Sequence, residues 1–484
     1  MPSRDHSQQP TERREATVIG GDGGAAFVEV WDLGFGIWGL GFGIYDPPMR
    51  RLLTALLFSS VAAAVLAQQK PAGNQCDQDN GGLTLPQGFC AKVIADVAGP
   101  ARHVAVAPNG DIYTVLAVAG GPLAPPPSGP PTPGVVALRD ADRDGRYEQV
   151  QKFGPGLQGT GLLWHDGYLY VGSNTQVVRF KMDGKSLLPA GAQEVIVDAL
   201  PPANPHSAKS IAIGDNGALY VHVGAPTNAC QLPKDRVPGL AGQNPCSQLE
   251  LHGGVWKYDA GKAGQKHDAA HRFATGIRHT VAMAWNPVAR QLYATQNGRD
   301  QLDTLWPKSF TATDNAQRPA EEMQLLKQGA NFGWPYCFFD LQTKKRLQNP
   351  EYGGDGKSEG DCAKYDKPIA TFPAHNAPVG MVFYTGTRFP SSYRNGAFVV
   401  FHGSWNRSPL PMEGFNIRFV PFKGELPSAE GQVFATGFAG KDVVKGPNDA
   451  IYRPVGIAQA PDGSLVVTDD SKGRVWRISY VLGQ

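Results

Sequence analysis

No two cysteines in this sequence are spaced Cys-x-x-Cys, acidic and basic residues nearly cancel, and long amphipathic helical stretches are scarce. Each lack excludes something. Without Cys-x-x-Cys, a clustered-thiolate metal site has no support. With 45 Lys and Arg against 43 Asp and Glu, the net charge is +2, so the concentrated basic face of a nucleic-acid binder is absent. Without helical periodicity, a helical enzyme is a poor reading. The longest apolar run falls short of the roughly 18 residues of a membrane span. What the 484 residues do have is turn-formers, 59 Gly and 40 Pro, as expected of an all-β protein with many tight connections.

A repeat runs along the chain. An apolar strand, a Pro/Asn/Asp-Gly turn and a second apolar strand recur at His103–Tyr113, Thr160–Val171, Ser210–Val221, Val281–Ala294, Gly380–Val400 and Val455–Val467. Asn-Gly or Asp-Gly between alternating apolar runs marks a hairpin, because these residues accept the positive φ of a type I′ turn. Six such copies predict an all-β, six-bladed β-propeller filling residues 68–484. A β-sandwich should not show so long a period, and a seven- or eight-bladed ring would need degenerate blades. Residues 122–134 read as an exposed polyproline-like loop within the first blade.

Met49-Arg50-Arg51, the apolar stretch Leu52–Leu66 and the small residues before Gln68 have the three parts of a secretory signal. The expectation is an exported chain, periplasmic or secreted, with a signal peptide at 49–67. Residues 1–48, with their Gly/Phe/Trp-rich near-duplication, are expected to be spurious or discarded. The six cysteines fall as Cys76 and Cys90, Cys230 and Cys246, and Cys337 and Cys362. Six allow 15 connectivities. Local closure within each pair is the simplest, and disulfides suit an exported protein.

Fold alone does not decide function in a propeller, so polar residues beside inner strands matter most. His206, just before Ile211, is placed to act as a general base or to be a plain loop histidine. Arg278 in Gly276-Ile277-Arg278-His279 offers a planar fork for a carboxylate, or a salt bridge between blades. Arg407, in Gly403-Ser404-Trp405-Asn406-Arg407, and Arg453 sit at similar strand-flanking positions. Three arginines with Trp405 to stack would suit a planar polyanion. Asn297 to Asp303 offers carbonyls and carboxylates to a hard cation, or forms a simple turn. Asp140 to Gly145 begins like a calcium loop but has Gln151 at its twelfth position, and reads as a hairpin turn.

Together the segment 204–212, Gly276–Ala284, Gly329–Tyr336, Gly403–Arg407 and Tyr452–Pro454 resemble the soluble glucose/sorbosone dehydrogenase family, most closely its sorbosone-type branch. The resemblance spans most of residues 90–480. It implies pyrroloquinoline quinone (PQQ) and Ca²⁺ as cofactors. It also implies oxidation of a sugar hydroxyl or hydrated aldehyde, with His206 as base and Arg278 beside the quinone carbonyl. Gln158, Lys209, Arg278, His279, Trp405, Asn406, Arg407 and Arg453 are then expected at PQQ. Gly298, Arg299 and Asp303 are expected at the ion, through the Gly298 and Arg299 carbonyls.

Three departures stand out. Ala225 replaces an aspartate that orients the histidine in the glucose-type branch, Lys209 stands in place of the arginine expected from related chains, and His279 replaces an asparagine. No haem-attachment Cys-x-x-Cys-His occurs, so a separate electron acceptor is expected. Two other readings stay open: a metal-dependent lactonase or hydrolase using Asp300, Asp303 and His206, and a non-catalytic binding propeller.

Overall fold

The hairpin signals become hairpins. Asp166 and Gly167 take φ of 47° and 76°, the left-handed pair that a type I′ turn demands, and join Gly159–His165 to Tyr168–Ser173 with Leu163 opposite Tyr170. The computed structural model describes residues 76–97, 99–116 and 133–481. The expected signal at 49–67, the extension at 1–48 and most of the proline-rich loop lie outside them.

Six antiparallel sheets follow one another along the chain. Blade 1 is Ala101–Val106, Ile112–Leu116, Pro133–Arg139 and Gln149–Pro155; blade 2 is Gly159–His165, Tyr168–Ser173, Val177–Lys181 and Glu194–Asp198, with Gln265–Lys266 added in parallel. Blade 3 is Ile211–Ile213, Ala218–Val223, Gly254–Asp259 and Arg272–Thr275. Blade 4 is Met283–Asn286, Gln291–Gln296, Glu321–Leu326 and Ala370–Phe372, and carries an extra hairpin, Cys337–Asp340 with Lys345–Gln348. Blade 5 is Pro378–Phe383, Gly396–Phe401, Asn416–Lys423 and Gln432–Ala435. Blade 6 takes Pro454–Gln459, Leu465–Asp469 and Arg474–Tyr480 from the C-terminal end and Phe89–Asp96 from the N-terminal end. The innermost strands touch their neighbours all the way round the ring. This is the six-bladed β-propeller expected from the repeats.

Apolar faces pack between blades. Tyr113 stacks on Trp164 across blades 1 and 2, Tyr220 on Trp285 across blades 3 and 4, and Tyr293 meets Phe383 across blades 4 and 5. Such ring pairs add roughly 0.5–1.5 kcal/mol each beyond the area they bury. The three disulfides join Cys76 to Cys90, Cys230 to Cys246 and Cys337 to Cys362, the local closures expected. Among the described residues, no helix is long and apolar enough to cross a membrane. In an up-and-down blade, the start of the innermost strand and the connection after the second strand share one mouth of the ring. Segments 204–210, 276–282, 297–301, 402–407 and 453 all fall at that mouth.

A candidate active site at one mouth of the propeller

His206 is buried, and its Nδ1 lies 2.6 Å from the carbonyl oxygen of Ala225. A carbonyl only accepts, so Nδ1 carries the hydrogen and the Nε2 lone pair is free. Burial, then the charge of Arg278, holds the ring well below the ordinary histidine pKa, so it is neutral at pH 7. Gly224 permits this placement: a Cβ there would lie 2.4 Å from the His206 carbonyl oxygen and 2.8 Å from its Cβ. The departure at Ala225 is therefore resolved by its own peptide group. The same residue's N–H donates to the Arg278 carbonyl at 2.9 Å, so one residue braces both His206 and Arg278.

His279 stacks on His206 with centroids 4.6 Å apart, and its Nδ1 is buried without a partner. Behind it, His222 accepts from the Thr280 N–H through Nε2 and donates from Nδ1 to the Gly254 carbonyl. Burial pushes His222 down to about 3. The neutral rings keep the charge at this mouth on the arginines.

Arg278 is buried. Its Nη2 lies 2.5 Å from Asp300 Oδ2, and its Nη1 donates to the Gly298 carbonyl at 2.9 Å. Asp300 also accepts from Arg236 Nη2 at 3.1 Å and from Asn406 Nδ2 at 2.8 Å. The neighbouring guanidinium groups hold its carboxylate far below the usual range despite burial. Asn228 clasps the Asp300 backbone from both sides, N–H and carbonyl. Arg236 belongs to the segment that the Cys230–Cys246 disulfide closes, and Asn228 lies just before it. Under the loop, Glu321 accepts from the N–H groups of Gly298 and Ala377, and burial pushes it up to about 8.

The other expected residues spread around this centre. Asn406 joins it directly. Arg407 pairs with Glu413 at 2.6 Å, leaving its Nε buried and unpartnered. Arg453 donates to the His402 and Gly403 carbonyls and so props the loop that carries Trp405, whose ring is 39% exposed. Beside it, Asp470 pairs with Arg102 and His402. Lys209 is fully buried, donates to the Ser207 carbonyl and is pushed down to about 8 by desolvation. Its charge acts on His222, His252 and His267, and no contact joins it to His206 or Arg278. Gln158 precedes blade 2 at the same mouth, where its carbonyl accepts from Asn174. Arg299 points away and pairs with the buried Glu351. Asp303 sits on the helical turn Leu302–Leu305.

Sequence reasoning missed Arg236, His222, Glu321 and His375, whose Nδ1 lies 3.8 Å from Asp300 Oδ1, and considered Asp300 only as an ion ligand. No pattern marks them; each is brought in by tertiary contact. It also passed over Gly356-Lys357-Ser358-Glu359-Gly360, which fits Gly-x-Ser-x-Gly. There Ser358 is exposed and bonded to Asp355 in a turn, so it is no activated nucleophile.

Residues 148–481 match the TrAA12-like family. The chain belongs to that family. The resemblance expected from the sequence is met among relatives of this TrAA12-like chain. A pyrroloquinoline quinone-dependent pyranose dehydrogenase of Coprinopsis cinerea is 27% identical over 199 residues, covering 35% of this chain and 26% of that protein. The chain spans between about a quarter and a half of the length of the curated relatives it matches. In fold it is similar to a calcium structure of a Trichoderma reesei protein of Carbohydrate-Active Enzymes Family AA12. That likeness has a TM-score of 0.66 at 17% identity, over 84% of this chain and 99% of that one. It is similar too to the holo form of the pyranose dehydrogenase PQQ domain from Coprinopsis cinerea, with a TM-score of 0.64 at 17% identity, over 82% and 97%.

The two cofactors expected from the resemblance fit this mouth differently. Arg278 Nε, His279 Nδ1 and Arg407 Nε are buried nitrogens without a hydrogen-bond partner in the protein. They suit a planar ligand bearing carboxylates and carbonyls, as PQQ does. The carbonyl pair of Gly298 and Arg299 does not fit a calcium ion. Gly298 O already accepts from a permanent cation, Arg278, and the Asp300 carboxylate is spent on two guanidinium groups. Asp303 has no contact bringing it to them. The hydrolase set fails for the same reason: His206, Asp300 and Asp303 do not come within mutual reach of one ion among the described residues.

Proposed function

We propose that this chain is a quinoprotein dehydrogenase that oxidises a hydroxyl or hydrated-aldehyde group of a sugar, with PQQ as its redox cofactor. The observation that carries this reading is the pairing, at one mouth, of a neutral His206 whose Nε2 lone pair is free with a buried, charged Arg278. Bound PQQ would supply the two-electron acceptor for the hydride leaving the sugar carbon. Arg278 and Arg407 would hold its anionic groups, and His279 would face it with Nδ1. His206 Nε2 would take the hydroxyl proton as the C–H bond breaks. The Ala225 carbonyl keeps the needed tautomer, and Arg278 stabilises negative charge growing on the acceptor oxygen. The reduced site would pass its electrons to a separate acceptor. Three disulfides support an exported, oxidising setting.

The test is reconstitution of the purified chain with PQQ, followed by dye reduction across a panel of aldoses, ketoses and their aldehydes. Turnover with at least one sugar is expected. Bound PQQ with no dye reduction by any of them would overturn the reading.

A further inference from the structure

On the PQQ reading above, we infer that the Arg278–Asp300 pair replaces a resident divalent cation, so that PQQ is gripped and polarised by a guanidinium with no calcium ion at the Gly298 and Arg299 carbonyls. The contacts around Arg278 support this. The Gly298 carbonyl, which a calcium ion would need, faces Arg278 Nη1 at 2.9 Å, and the Asn297 carbonyl lies 3.4 Å from the same nitrogen. Calcium ligands sit at about 2.3–2.6 Å, so an ion on that oxygen would lie against a fixed positive charge. The guanidinium groups of Arg278 and Arg236 converge on the Asp300 carboxylate, with Asp235 3.5 Å from Arg236 Nε, so a fixed cation with its own counter-charges already holds the place beside the Gly298 carbonyl that a calcium ion would take.

The geometry is also held from outside. Asp300 is fixed by Asn406 on its side chain and by Asn228 on its backbone, and Arg278 by Gln296, whose Oε1 accepts its backbone N–H. An arginine held so tightly remains charged and pre-aimed, which is what a Lewis-acidic ion would otherwise provide. The buried Arg278 Nε is still unpartnered, leaving a donor for the ligand.

The test uses the full chain freed of metal by chelation. PQQ binding is followed by quenching of protein fluorescence, once in excess chelator and once with millimolar calcium, and calcium uptake is read by equilibrium dialysis with and without PQQ. Reading uptake as a difference removes any calcium that binds elsewhere, such as at the half-buried Asp140 and the exposed Asp142 and Glu148, whose ligating atoms lie within 4.8 Å of one another. The expected result is a dissociation constant that differs by less than about threefold between the two buffers, under roughly 0.7 kcal/mol, and no PQQ-linked calcium. Binding weakened about tenfold or more in chelator, or one calcium taken up with each PQQ, would overturn the inference and leave the dehydrogenase reading intact. Failure of PQQ to bind in either buffer would overturn both.

Discussion

His206 Nδ1 lies 2.6 Å from the Ala225 carbonyl, and the Ala225 N–H lies 2.9 Å from the Arg278 carbonyl oxygen. The base is thus oriented by a group that cannot ionise. A carboxylate in that place would raise the histidine's pKa; a carbonyl leaves burial and Arg278 free to lower it. The pH profile of kcat/KM should therefore stay flat through neutrality and fall only on the acid side of the ordinary histidine range, as His206 takes up a proton. An inflection at or above pH 6.5 would contradict this assignment.

His206→Asn should cost about 10²- to 10⁴-fold in kcat. PQQ affinity and Tm should change little, because the asparagine removes the base and keeps a polar group beside Ala225. An unchanged kcat would remove His206 from the chemistry.

Gly224→Ala should displace the histidine without touching the substrate. Its new Cβ would meet the His206 backbone at 2.4 Å, so the segment must shift. We expect kcat to fall at least about tenfold, since misplacement by an ångström has that scale of effect. The far-ultraviolet circular dichroism spectrum should be unaltered. Wild-type turnover in this variant would show that the segment has slack.

Asp300→Asn breaks a buried ion pair and leaves Arg278 and Arg236 facing each other. The expected loss is about 3–5 kcal/mol, read by denaturant unfolding, along with weakened PQQ binding. A stability change below about 1 kcal/mol would place the pair in a far wetter setting than its burial implies.

Acid should destabilise the fold through its buried histidines. Burial lowers His103 to about 4 and His222 to about 3 in the folded chain, against about 6.5 unfolded. The unfolded chain binds more protons in that window, so stability is complete above pH 6.5 and is lost as the pH falls towards 3. By pH 5 each ring should have cost roughly 1–2 kcal/mol. Unfolding titrations at pH 7 and pH 5 measure the difference.

The blades were legible because each hairpin is written locally, in strands that flank Asp166-Gly167 and its counterparts, and because a repeat cannot hide in a ring. The cysteines paired locally for the same reason. His206, Arg278 and Asn406 were legible as a group because the up-and-down topology sends their segments to one mouth. The rest was not. A backbone carbonyl such as that of Ala225 carries no residue signature, and a sequence that lacks an aspartate does not announce what replaces it. Arg236 reaches Asp300 only through a loop that folds back under a disulfide. Lys209 and Arg453 have the right chemistry and the right strand position, yet Lys209 turns towards a different set of histidines and Arg453 is engaged with two carbonyls. Side-chain direction at a strand end depends on neighbours far away in the chain.

The sixth blade gives the ring a late step. Among the described residues Phe89–Asp96 is the first strand to be made, and its partner Arg474–Tyr480 is the last. Until Arg474–Tyr480 is made, the early strand lacks that partner in its own sheet, and the opposite edge of blade 1 has no finished neighbour. A nascent chain is thus an open arc with bare strand edges, the state most prone to pairing with other chains. Loss of Arg474–Tyr480 would leave it there permanently, with every other blade intact. Completion of the circle is then a checkpoint: only a chain carried through to its final strand can cover its own edges.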